Sequence, residues 1–317
     1  MKIKLWGVRG SLPTPMGVDE YRTKLASAIE DARSIFQSNP GLTPAQIYQA
    51  MSWKYKAVIG GETTCVTVQG KDETILVMDL GSGARMLGDE LSRTKGAREI
   101  NILLTHTHWD HIQGWPYFAP AYNPDCTIHF YSCLDNLPER MDRLLHRSHN
   151  QITMADIPAR CHFHSVTPGD SFQIGNFKVE TQSLIHPGGC TSYRVKEGDR
   201  SFIFATDTEF YGPELSRLII EYFSFFQEAD LMVMDAQYSL AEAEQKKGWG
   251  HTAMTIAVDC SLHWRVKHLV LTHHEPAHSD EVIHELYRKA ASYLDAHGNA
   301  EQSLNVTLAR EGDEYVL

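Results

Sequence analysis

A short apolar run, Ile102-Leu103-Leu104, leads directly into Thr105-His106-Thr107-His108-Trp109-Asp110-His111. Nothing else in the chain limits its fold so tightly. Three imidazoles and a carboxylate fall within residues 106–111, and the apolar run before them reads as a strand. The cluster therefore stands at a strand's carboxyl end, where the sites of α/β sheets collect. Imidazole nitrogen and carboxylate oxygen suit zinc, manganese or iron. His106 and His108, two apart in an extended segment, point the same way and can share one ion. Asp110 and His111 follow a bend and can reach a second.

The remainder of the chain supplies more strands of this kind. Short apolar runs at 2–6, 65–69, 75–78, 102–104, 127–131, 177–182, 201–204, 231–234 and 268–271 read as strands. Helical spacing marks residues 214–228, 252–264 and 279–296, the last with an N-cap serine, acids in its first turn and Gly298 beyond its end. Strands followed by helices in each half predict an α/β layered domain spanning 1–317. One segment, 18–58, looks wholly helical. Tyr21, Leu25, Ile29, Ala32 and Phe36 share a face, Asn39-Pro40-Gly41 interrupts, and Thr43-Pro44-Ala45-Gln46 matches a capping box. It reads as an inserted helical hairpin, serving either as a packing element or as a lid or homodimer arm. A second helical insert is expected within 134–157.

Composition excludes some roles. The net charge of −11 argues against a long nucleic-acid groove, which needs a basic face. It leaves room for a small phosphate substrate, because bound cations reverse the local sign. No apolar run approaches the length of a membrane span, and Met1-Lys2-Ile3-Lys4-Leu5-Trp6 lacks a signal-peptide layout. The six cysteines are scattered and form no Cys-x-x-Cys pair, which fits free thiols in a cytoplasmic protein.

His-Thr-His-Trp-Asp-His resembles the hallmark of the metallo-β-lactamase superfamily, whose fold is a four-layer αβ/βα sandwich. The resemblance runs from about Ile3 to His278 and leaves the 18–58 insertion outside it. It implies two divalent metal ions (Zn, Mn or Fe) and assigns the later ligands. His186 in Leu-Ile-His-Pro-Gly-Gly joins His106 and His108 at the first ion, and Asp207 in Phe-Ile-Phe-Ala-Thr-Asp-Thr bridges both ions. His273 in Leu-Val-Leu-Thr-His-His-Glu-Pro joins Asp110 and His111 at the second, with adjacent His274 as the competing choice. Asp79 and Asp235, each ending an apolar strand, are similar to family positions that support the ligands.

Within that superfamily, Gly248-Trp249-Gly250-His251-Thr252 looks like the Gly-His-Ser/Thr element of the phosphodiesterase branch, which includes RNase Z and the cyclic-phosphate diesterases. Trp6-Gly7-Val8-Arg9-Gly10-Ser11 and Gly60-Gly61-Glu62-Thr63-Thr64-Cys65 resemble the same branch, although here some forty residues of helix separate them. The resemblance implies a hydrolase that attacks a small phosphodiester or cyclic nucleotide through a metal-bridging hydroxide. Asp110 and His251 are the expected catalytic residues, His251 as general acid or oxyanion stabiliser. Arg9 is a candidate phosphate contact or, equally, a structural ion pair. An ester, thioester or lactone hydrolase, and a non-hydrolytic diiron sensor, stay open on the same ligands.

Overall fold

The computed structural model describes residues 1–93, 99–298 and 303–317. In chain order its strands are β1 (Lys2–Gly7), β2 (Cys65–Gln69), β3 (Ile75–Met78), β4 (Glu99–Leu103), β5 (Thr127–Ser132), β6 (Arg160–Ser165), β7 (Ser171–Ile174), β8 (Phe177–Leu184), β9 (Cys190–Glu197), β10 (Arg200–Ala205), β11 (Leu231–Asp235), β12 (His268–Thr272), β13 (Asn305–Leu308) and β14 (Glu314–Val316). They form two seven-stranded sheets, ordered β14-β1-β2-β3-β4-β5-β6 and β13-β12-β11-β10-β9-β8-β7. Each sheet pairs an antiparallel part with a parallel run, β3 to β6 in one and β10 to β13 in the other.

Parallel neighbours need crossover connections, and these carry the helices. Ala84–Arg93 and Leu137–Leu144 lie in the crossovers of the first sheet, and Leu215–Phe226, Met254–His263 and Asp280–His297 in those of the second. Strand alternation then builds the layers. In β3 and β4, Leu76, Met78 and Leu103 join Phe177, Val179, Tyr193 and Val195 in the core shared by the sheets. Val77, Ile100, Ile102 and Leu104 pack with Leu87, Trp115 and Met141 in a separate cluster under the helices. This is the αβ/βα sandwich. It brings the carboxyl ends of the parallel strands of both sheets to one edge of the molecule.

The sequence reading missed β6, β7, β9, β13 and β14. Most of these are short or polar. Strand β9 carries Ser192, Arg194 and Lys196, and burial of Arg194 is tolerated because its guanidinium donates to Phe225 O and Gln227 O at 2.7 and 2.9 Å. The second expected insert resolves into the helix Leu137–Leu144 and a 3₁₀ turn, Met154–Asp156.

The 18–58 segment lies between β1 and β2 as three helices, Val18–Ser38, Pro44–Ala50 and Trp53–Lys56. The Thr43 capping box forms as read: its hydroxyl accepts Gln46 N–H, and its own N–H donates to the Gln46 carboxamide at 2.9 Å. The apolar stripe of the first helix behaves otherwise. No residue of that helix is buried, and Tyr21 and Ile29 are 56% and 61% exposed. The insertion is tied down elsewhere, through Lys24 to Asp280 at 2.7 Å, Lys54 to Glu281 at 2.5 Å, and Trp53 packed against the core and the His284 ring. Helical spacing shows that a face is apolar but not what covers it. Among the described residues no helix is long and apolar enough to cross a membrane.

Candidate metal centre

The strand end after β4 behaves as its sequence requires. The chain stays extended to His108, which caps the single helical turn Trp109–Ile112, so Asp110 and His111 rotate away from His106 and His108. From the second sheet, His186 follows β8, Asp207 follows β10 and His273 follows β12. Their ligand atoms converge into two groups: His106, His108, His186 and Asp207, and Asp110, His111 and His273; a third possible group sets Asp235 and His251 beside Asp207 and His273. Asp207 touches both. Its Oδ2 lies 3.4 Å from His106 Nε2 and 3.6 Å from His186 Nε2, while its Oδ1 lies 3.2 Å from His111 Nε2 and 3.1 Å from His273 Nε2. Asp110 Oδ2 is 3.2 Å from both His111 Nε2 and His273 Nε2.

Asp79, Asp207 and His273 share a backbone feature. Their φ angles are +59°, +55° and +62°, the left-handed region that side-chain-bearing residues seldom occupy. Such strain persists only where surrounding contacts enforce it, and it concentrates at functional sites.

Hydrogen bonds to the far ring nitrogens set the tautomers. His111 Nδ1–H donates to Asp79 Oδ2 at 2.7 Å, and His186 Nδ1–H donates to Gly250 O at 3.0 Å. Thr105 donates its hydroxyl to Asp79 Oδ2 at 2.8 Å and accepts from His106 Nδ1–H at 3.0 Å. Each of these rings therefore directs an Nε2 lone pair toward Asp207, as metal-binding histidines do. The Nε2 atoms of His106 and His111 are buried and have no hydrogen-bond partner. Buried polar atoms without partners are costly, and a cation satisfies these two directly. The donor set fits a pair of divalent ions bridged by Asp207.

Electrostatics follow from packing carboxylates among imidazoles. Burial opposes charge on Asp110 and Asp207, but His111 and its neighbours hold both carboxyls well below the usual carboxylate range. Burial likewise opposes charge on His273, yet Asp207 and Asp110 raise it to about 9. Burial, followed by the charge of His111, pushes the His106 imidazole well down. The fully enclosed Asp79 carboxyl is pushed up by burial despite its bond to His111.

Beside the two groups, His251 Nδ1–H donates to Asp235 Oδ2 at 2.7 Å. Asp235 Oδ1 accepts Thr252 N–H at 3.1 Å, fixing the turn that carries His251. The His251 ring stacks on His273 at 4.9 Å and meets His186 edge-on at 5.3 Å, so it overlooks both groups.

The structure takes Arg9 and His274 out of the cluster. Arg9 is buried, donating to Gly60 O at 2.8 Å and His278 O at 2.9 Å and pairing with Asp280 at 3.4 Å. Its guanidinium is consumed in holding the first loop against the last helix, so it is not placed to meet a phosphate. His274 turns its Nε2 to Ala309 O at 3.0 Å and is buried and neutral, its imidazole pushed down to about 3 by burial.

Two supports escaped the sequence reading. Ser11 N–H donates to Asp110 Oδ2 at 2.7 Å, and the Glu209 carboxylate accepts the N–H groups of Gly248 and Gly250 at 2.8 and 2.9 Å. Glu209, two residues after Asp207 in a strand-end loop, carried the only local signal.

The chain is 23% identical over 265 residues to ribonuclease Z of Thermosynechococcus vestitus, an alignment covering 67% of this chain and 62% of that protein's length. Human tRNase Z, short form, superposes with a TM-score of 0.62 at 17% identity, covering 100% of this chain and 99% of that one. A diphosphatase of the PhnP family superposes at 0.60 with 18% identity, covering 100% of this chain and 97% of that one. The beta-lactamase superfamily domain matches residues 77–274, a span that holds every candidate ligand from His106 to His273, and the chain belongs to that superfamily.

Proposed function

We propose that the chain is a binuclear metal-dependent phosphodiesterase acting on a small phosphodiester or cyclic nucleotide. The observation that carries this reading is the His251–Asp235 pair set over the shared Asp207. A phosphodiester needs a proton donor at its leaving oxygen, and an imidazole anchored there can supply one. The ribonuclease Z and diphosphatase relatives support the same chemistry.

His106, His108, His186 and Asp207 would hold one ion, and Asp110, His111, His273 and Asp207 the other. When bound, such a pair supplies an activated water and Lewis-acid stabilisation of phosphoryl oxygens. The chain's own residues do the remainder. Asp79 and Thr105 orient the imidazoles, and Ser11 N–H orients Asp110. Asp235 holds Nδ1 of His251, leaving Nε2 to carry a proton to the leaving oxygen. The proposal includes a single domain over 1–317, a cytoplasmic setting and a homodimer formed through the exposed face of Val18–Ser38.

The test is turnover of bis-p-nitrophenyl phosphate by protein loaded with Zn²⁺, Mn²⁺ or Fe²⁺. On 3′,5′-cyclic AMP, whose alkoxide leaving oxygen needs a proton where p-nitrophenolate does not, His251→Ala should lower kcat by roughly 10²–10⁴-fold, the usual worth of a positioned acid. Unchanged turnover would remove His251 from the mechanism, and an inactive metal-loaded wild type would refute the class.

A further inference from the structure

Trp249 stands between two glycines with φ of +85° and +89°, Gly248 and Gly250. Both glycine N–H groups are clamped by one carboxylate, that of Glu209. Gly250 O in turn accepts the Nδ1–H of candidate ligand His186, and a Cβ at Gly250 would collide with that ring. The turn is therefore locked on both sides of Trp249 and pinned to the metal centre. Yet the residue it presents is 63% exposed. The backbone thus fixes where this exposed indole leaves the chain, beside the candidate ligand His186.

Its neighbours indicate what it contacts. The Lys246 ammonium lies 5.8 Å from the Trp249 ring centre and 4.4 Å from that of Tyr238. Tyr238 meets the His251 ring edge-on at 5.6 Å. One ammonium and one phenol ring thus separate the indole from the candidate acid. A phosphodiester whose leaving oxygen met His251 would have its attached group within reach of these neighbouring rings. Every nucleobase presents a flat π-face that stacks on an indole whatever its hydrogen-bonding edge. A simple alkyl group gains little there.

We propose that Trp249 is a stacking platform and specificity determinant for the base of a nucleotide substrate, so that the site prefers nucleobase-bearing diesters over base-free ones. This rests on the diesterase reading above. Stacking on an aromatic side chain is worth ~10-fold or more in affinity per base.

The experiment has two arms. In the first, metal-loaded wild type, W249F and W249A are titrated with AMP and with ribose 5-phosphate, following tryptophan fluorescence and, for the variants, calorimetry. AMP should bind wild type more tightly than ribose 5-phosphate, and W249A should lose ~10-fold of that preference while W249F keeps part of it. In the second, kcat and KM are measured for the dinucleotide thymidylyl-(3′→5′)-thymidine, whose leaving oxygen carries a nucleoside, and for the base-free diester glycerophosphocholine. The ratio of kcat/KM values, nucleotide over base-free, should fall ~10-fold in W249A, chiefly through KM. An unchanged ratio with normal diester turnover would overturn the stacking role and leave the diesterase reading intact. Trp249-dependent AMP binding without any turnover would overturn the diesterase reading alone. Neither binding preference nor turnover would overturn both.

Discussion

Replacing Asp79 by asparagine probes the centre without changing its shape. The carboxylate is buried and accepts Thr105 N–H on Oδ1 at 2.8 Å, with the Thr105 hydroxyl and His111 Nδ1–H both on Oδ2, at 2.8 and 2.7 Å. In Asp79→Asn an NH₂ takes the place of Oδ2 and faces two donors. His111 can restore its bond only by moving its proton to Nε2, the atom that lies 3.2 Å from both Asp110 Oδ2 and Asp207 Oδ1. The Thr105 hydroxyl, if it turns to accept from the new amide, donates to His106 Nδ1 and drives that proton to Nε2 as well. Each shift removes a ligand lone pair. If the amide flips instead, NH₂ faces Thr105 N–H, and an unmade buried hydrogen bond costs about 1–3 kcal/mol. Loss of such an orienting partner weakens metal binding ~10–100-fold, or about 1.4–2.7 kcal/mol. The Asp110–His111–His273 group should suffer more, since His111 is bonded directly and His106 only through Thr105. Competition with a chromophoric chelator resolves the two binding steps, and circular dichroism checks the fold. Affinities within about twofold of wild type at both steps would refute the tautomer argument.

Three further outcomes follow from other contacts. A Cβ at Gly10 would lie 2.5 Å from the His273 ring, so Gly10→Ala should displace that imidazole and lower bound metal from about two ions toward one, read by elemental analysis. Burial, with the charge of Glu62 adding to it, pushes the Glu311 carboxyl from its ordinary 4.5 up to about 7. The folded state then binds this proton more tightly than the unfolded one, so stability is lost as pH rises from roughly 4.5 through 7. Glu311→Gln should flatten that part of the Tm-against-pH curve, and an unaltered slope would contradict the assignment. Ile29→Glu should shift sedimentation from dimer to monomer if the exposed stripe of Val18–Ser38 joins two copies, and a monomeric wild type would dismiss the homodimer.

Much of the centre was legible because its chemistry is local. Residues 106–111 are consecutive, so a strand followed by a turn already determines which side chains share a direction. The Thr43 cap was readable for the same reason, its partner lying three residues away. His186, Asp207 and His273 were identified by the apolar strands before them together with the family resemblance; spacing alone could not join them. Where partners are distant, reading the chain failed or stayed undecided. Arg9 looked equally suited to phosphate or to an ion pair until folding brought it to Asp280, 271 residues away, in a buried network that uses its donors.

The choice between His273 and His274 shows the division most clearly. The sequence determined that an imidazole would emerge where β12 ends. Only the tertiary structure decided which one: left-handed backbone at His273 swings its Nε2 onto Asp110 and Asp207, while His274 pairs back to Val8 and reaches Ala309 O. The same holds for the stripe on Val18–Ser38, whose apolar character is written in its spacing but whose exposure depends on where the rest of the chain lies. Composition and periodicity act over a few residues, whereas burial and pairing are set by segments that meet only after the two sheets have packed.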